Sequence, residues 1–150
     1  MALPVDAKIF LPLIELLKKK PIPVYYERKN SGVGRSLPFG IINRRNFKMG
    51  HSRNNKIFQE HYKEMLNIAK QLKIDCKWTS IMLNDNYKSQ PHKDKNNDGI
   101  SCIVGFGDYT NGEINVEGKK YDIKYKPLHM LAGEQLHFTC LLYTSDAADE

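Results

Sequence analysis

His92 and Asp94 stand two apart in Gln90-Pro91-His92-Lys93-Asp94, at the end of an apolar run that reads as a strand. In an extended chain alternate side chains share a side, so an imidazole and a carboxylate face the same way. His137 follows the turn-like Ala132-Gly133 on another short strand-like run, 43 positions after Asp94. Two imidazoles and one carboxylate make a facial set of N and O donors that suits Fe(II) and leaves coordination positions open. Zn(II) could use the same ligands, although no Cys supports a structural zinc site. The plainer alternative is a polar turn that happens to contain a histidine.

These residues need a scaffold, and 150 residues are enough for one domain with a real core. No apolar run reaches the roughly eighteen residues of a membrane span, and the start lacks the pattern of a signal peptide. Three cysteines, Cys76, Cys102 and Cys140, form no CxxC pair. The expectation is a reducing, intracellular setting, cytoplasmic or nuclear, with no disulfide-linked partner and no membrane. Charge is uneven: residues 1–60 carry twelve Lys or Arg against four Asp or Glu, residues 61–139 eleven against ten. The positive half could face nucleic acid through Lys18-Lys19-Lys20, Arg28-Lys29, Arg44-Arg45 and Arg53-Lys56, although basic surfaces are common without that role.

The elements that must position the candidate ligands follow from periodicity. Asp6 can cap a short helix, which Pro12 either kinks or restarts. Val24-Tyr25-Tyr26 reads as a strand, and residues 28–55 as a long loop with one strand near Phe39–Asn43. Lys56–Leu72 carries apolar residues on one helical face, with His61 on the polar side and His51 in the loop. The period then changes to two. Trp78–Asn84 and Ile100–Phe106 read as strands, Glu113–Val116 and Tyr121–Tyr125 as a hairpin around Glu117-Gly118, and Leu128–Leu131 with Gln135–Thr139 as another around Ala132-Gly133. Helices followed by short antiparallel strands predict an α+β chain built on a sandwich or barrel.

The run LNDNYKSQPHKDKNNDGISCIVGFGDYTNGEINV, with LHMLAGEQLHFT after it, resembles the Fe(II)/2-oxoglutarate-dependent dioxygenase superfamily. It is most similar to the branch with the pattern PHxDKNNxG met in viral and protist genomes. The resemblance spans about Trp78 to Thr139, with weaker echoes in Phe39-Gly40 and the long helix. It implies a double-stranded β-helix (jelly-roll) core with the N-terminal helices packed on it. It also implies metal ligation by His92, Asp94 and His137, with Fe(II), 2-oxoglutarate and O2 supplying oxidative chemistry on C–H bonds. His129 is the rival distal ligand, but family members tend to carry an aromatic residue there. Asn84 and Asn86, two apart on a strand end, could hydrogen-bond 2-oxoglutarate or substrate, or could be turn residues. Asn97 could support the iron indirectly or shape the turn before Gly99, and Ser101 could face the cavity. Lys93 could meet an anionic substrate or simply be solvated. The substrate is unknown, with a nucleic-acid base one option for hydroxylation or demethylation.

One departure concerns the end of the chain. The family carries an arginine on a strand after the distal histidine, where it pairs with the far carboxylate of 2-oxoglutarate. Here Thr139 runs into Cys140-Leu141-Leu142-Tyr143-Thr144-Ser145-Asp146-Ala147-Ala148-Asp149-Glu150, which resembles a translated transposon-end sequencing adapter. The expectation is one oxygenase-like domain over 1–139, with a helix-and-loop part (1–75), a jelly-roll part (76–139) lacking its last strands, and a non-native tail (140–150). Such a chain would bind 2-oxoglutarate poorly. A reading from another class is a metal-free jelly-roll module that binds nucleic acid. A cupin-like metal enzyme that needs no 2-oxoglutarate is the third.

Overall fold

The computed structural model of the chain describes residues 5–23, 32–43, 49–74, 78–94, 99–140 and 142–144. The strand expected at 24–26 lies outside them. Asp6 accepts a hydrogen bond from the Lys8 main-chain N–H at 3.0 Å and starts a short 3-10 turn, Ala7–Phe10. The helix then begins afresh as α1 (Leu11–Lys19), with Pro12 in its first turn, where a missing N–H costs no intrahelical bond.

The long loop expected over 28–55 is corrected. Strand β1 (Gly32–Asn43) runs for twelve residues and pairs antiparallel with β2 (Met49–His51) on one side and β3 (Ser80–Ser89) on the other. Pro38 can sit in β1 because β2 pairs only with Ile41, Ile42 and Asn43. Beside Pro38, Ser52 and the Asn54 amide donate to its carbonyl instead. The helix expected from Lys56 is two pieces, α2 (Asn54–Ile57) and α3 (Gln59–Leu72), broken at Phe58, whose φ of −117° and ψ of 46° are not helical. Lys73 closes α3 in the left-handed region with φ 51°. His61 is corrected too: it is buried on α3, and its Nε2 lies 2.8 Å from the Lys20 carbonyl at the end of α1.

The helices lie on the β1–β3 sheet through one core cluster, Phe10, Leu13, Ile22, Leu37, Phe39, Met65, Ile68 and Leu83. Each such side chain contributes about 1.5–3 kcal/mol on burial. Phe39 stacks on Tyr62 and Phe10 on Phe106, with centroids 5.5 and 5.2 Å apart.

The second half is made of short antiparallel ladders. Strand β4 (Ser101–Ile103) pairs with β8 (Leu128–Met130), and β6 (Ile114–Val116) lies between β7 (Lys119–Tyr121) and β9 (His137–Thr139). Glu117 and Gly118, both at positive φ, make the expected tight turn between β6 and β7. The hairpin expected around Ala132-Gly133 is corrected: β8 and β9 leave that turn for different sheets, because each finds its partner elsewhere. Ile103, Leu128 and Met130 pack on Ile114, Val116 and Ile123, so the two sheets share a small core.

Strand β5 (Tyr109–Asn111) takes β10 (Leu142–Thr144) as an antiparallel partner. The latter belongs to the adapter-like tail; ladder bonds use the main chain and place little demand on sequence. The architecture is α+β with antiparallel sheets, and no closed barrel forms among the described residues. No described helix is long and apolar enough to cross a membrane. Among the described residues Cys102 and Cys140 form no disulfide.

Candidate metal centre

Strand β3 ends at Ser89, and the chain continues through Gln90-Pro91 to meet β9 at a single antiparallel bridge, His92 with His137. The two residues exchange both main-chain hydrogen bonds, His92 N–H to the His137 carbonyl at 3.0 Å and the reverse at 2.9 Å. Residues directly opposite in an antiparallel pair put their side chains on the same face. The imidazole centroids are accordingly 4.4 Å apart. Val116 on β6 faces His137 from the other side, so the ring is seated against the small core and buried, whereas His92 and Asp94 are half-open to solvent.

Asp94 brings its carboxylate to both rings. Its Oδ1 is 3.2 Å from His92 Nε2 and its Oδ2 is 3.4 Å from His137 Nε2. One donor atom from each residue falls within 4.8 Å of the others. Metal–ligand bonds of about 2.1 Å put neighbouring ligands of an octahedron about 3 Å apart; the two N···O distances are near this, while the set as a whole spans up to 4.8 Å.

The protonation pattern points the same way. His92 Nδ1 lies 2.6 Å from the Gln90 carbonyl, and His137 Nδ1 lies 2.8 Å from the Gln135 carbonyl. A carbonyl only accepts, so each Nδ1 carries a proton, and a ring with no second proton turns an Nε2 lone pair toward the carboxylate. With both rings in that form three acceptors face one another, an arrangement that a cation relieves. Main-chain carbonyls on the far ring nitrogens are what orient metal-bound histidines elsewhere. Gln-x-His occurs three times, as Gln59-Glu60-His61, Gln90-Pro91-His92 and Gln135-Leu136-His137. In the two copies at the triad the ring bonds the carbonyl two residues back, whereas the helical His61 reaches the Lys20 carbonyl instead.

The other expected residues are placed as follows. Asn84 and Asn86 lie within β3 rather than at its end. Asn84 accepts a 2.7 Å bond from Ser36 Oγ, and Asn86 has φ 50° beside a register shift between Val33 and Arg35. Ser101 is opposite Met130, one of the residues packed on the Ile114–Val116 core. Lys93 is exposed between the two ligands, His129 is exposed on β8 opposite Cys102, and Asn97 lies outside the described residues.

Among the basic residues of the first half, Lys18 pairs with Glu15, Lys20 with Glu60, and Arg35 donates to the Ile22 carbonyl. The Lys20 ammonium holds the Glu60 carboxyl below its ordinary range. Arg28, Lys29, Arg44 and Arg45 lie outside the described residues. A shallow groove between α1 and α3, lined by Pro12, Leu16, Lys63 and Glu64 among others, does not include the triad.

Comparison of the chain with known protein families, with curated proteins and with solved structures finds no match.

Proposed function

We propose that His92, Asp94 and His137 hold a divalent metal of the Fe(II) type and that the chain is an Fe(II)- and 2-oxoglutarate-dependent dioxygenase. The observation that carries this is the convergence of two Nε2 atoms and one carboxylate, each ring with its Nδ1 against a main-chain carbonyl. The motif around His92 and Asp94 adds support, as do the two small antiparallel sheets packed face to face, which suit one end of a jelly roll. Fe(II), when bound, would supply activation of O2 for attack on a C–H bond, with 2-oxoglutarate as the co-substrate.

The chain's own residues define the surroundings of that chemistry. His137 is sealed against Val116, so access is from the side of His92 and Asp94. Lys93, between His92 and Asp94, is exposed to solvent. The positive excess of residues 1–60 favours a nucleic-acid base as the substrate. For 2-oxoglutarate, a cation that would pair with the far carboxylate is not identified among the described residues around the triad.

The test is succinate release from 2-oxoglutarate under O2 with added Fe(II). Fe(II)-dependent release that disappears in Asp94→Ala is expected. The absence of any Fe(II)-dependent release contradicts the reading.

A further inference from the structure

The strand pairing around the triad is interrupted on both sides, in matching ways. His92 and His137 exchange both main-chain bonds, so a regular antiparallel ladder would next join Thr139 N–H to the Gln90 carbonyl and Asp94 N–H to the Gln135 carbonyl. Neither bond is made. Thr139 N–H donates to the Ser89 hydroxyl at 3.0 Å, and Asp94 N–H donates to the Ala132 carbonyl at 2.8 Å. The two carbonyls left over, Gln90 and Gln135, are the ones that accept from the two imidazoles.

We infer that Ser89 is a positioning residue for the metal centre: its hydroxyl takes the Thr139 N–H, which frees the Gln90 carbonyl to orient His92. Ser89 is suited to this. It is buried, stands at the last position of β3, and its Oγ also lies 3.2 Å from Thr139 Oγ1. The hydroxyl accepts from the N–H and exchanges a second bond with the threonine, so both groups are satisfied without the Gln90 carbonyl. Alanine at 89 would return the Thr139 N–H to that carbonyl. The carbonyl can accept a second bond, but the main-chain bond would draw it toward the ladder direction and out of line with the His92 ring, whose tautomer would then be held less firmly. On the other side the substitute acceptor is main chain, so the His137 ring would keep its partner.

This inference rests on the triad being a metal site, and Zn(II) alone, measured by competition with a chelating indicator, tests the two separately. The wild-type chain is expected to bind one ion. Ser89→Ala is expected to bind it about 10–100-fold more weakly, the range usual for partners of metal-bound histidines. Ser89→Thr, which keeps the hydroxyl, is expected to restore affinity to within a few-fold. In proton–nitrogen spectra of the imidazoles, Ser89→Ala is expected to lose the protected Nδ1–H signal of His92 and keep that of His137. A general loosening of the fold would move both.

Wild-type affinity and both ring signals in Ser89→Ala overturn the role of Ser89 while leaving the metal site standing. Failure of the wild-type chain to bind Zn(II) overturns the metal site itself and the inference with it. Should Ser89→Ala not fold, Thr139→Val keeps the N–H and removes only the threonine hydroxyl. A several-fold loss of affinity is then expected, and unchanged affinity counts against the clamp.

Discussion

The rings of His92 and His137 lie 4.4 Å apart because the two residues are each other's main-chain partners. Forty-four intervening residues are thereby reduced to one cross-strand step. The proposed metal centre depends on that bridge: a slip of one residue would turn one histidine to the opposite face.

Metal binding should therefore stabilise the fold by linkage. At a free metal concentration a hundredfold above Kd the gain is about 2.7 kcal/mol. For a chain of this size that corresponds to a rise in Tm of roughly 5–10 °C. Anaerobic thermal melts with Fe(II) should show the rise, and a chelator should reverse it. His137→Ala should show no metal-dependent shift.

Gly105 is needed for space rather than for its backbone angle. A Cβ there would run into the Tyr109 hydroxyl and ring. Gly105→Ala should cost about 1–3 kcal/mol in urea unfolding. Tyr109→Phe in the same chain should recover part of that loss, and simple additivity of the two substitutions would contradict the contact.

Burial pushes the Tyr109 phenol up to about 12, with the negative charge of Asp122 adding to the effect. Between pH 10 and 12 the unfolded chain ionises this tyrosine while the folded chain keeps its proton, so stability should fall as pH rises through that window. Tyr109→Phe should flatten this alkaline slope. Spectrophotometric titration should find a tyrosine that ionises late, together with unfolding, and Tyr109→Phe should remove that step.

Asn55 acts as a surrogate strand residue. Its side-chain amide accepts from the Gly40 N–H at 2.8 Å and donates to the Gly40 carbonyl at 3.1 Å, tying the start of the helices to β1. Asn55→Ala should destabilise the chain by about 1–3 kcal/mol. Metal affinity of the folded fraction should stay within twofold, since neither group touches the triad.

Much of this was legible in the chain because it is local. The spacing His-x-Asp set two side chains on one side, and Glu117-Gly118 carried its turn chemistry openly. What escaped depends on distant partners. Gly34, Pro38 and Gly40 made β1 look like loop, yet Gly34 and Gly40 have positive φ where the strand passes close to β3, and Pro38 has side chains to serve its carbonyl. The Ala132-Gly133 turn was visible, but not that β8 belongs to β4 and β9 to β6 and His92. His61 looked solvated because its acceptor, the Lys20 carbonyl, lies on another helix. The two imidazoles meet their carbonyls where the pairing is interrupted at Ser89 and Asp94, which no periodicity reveals.

The most direct measurement is anaerobic equilibrium dialysis of Fe(II) against the wild-type chain and against His92→Ala, Asp94→Ala and His137→Ala, each confirmed folded by circular dichroism. One ion per wild-type chain is expected, with binding lost in all three variants. Equal retention of iron by the wild-type and variant chains, or none by the wild type, would contradict a metal centre at His92, Asp94 and His137.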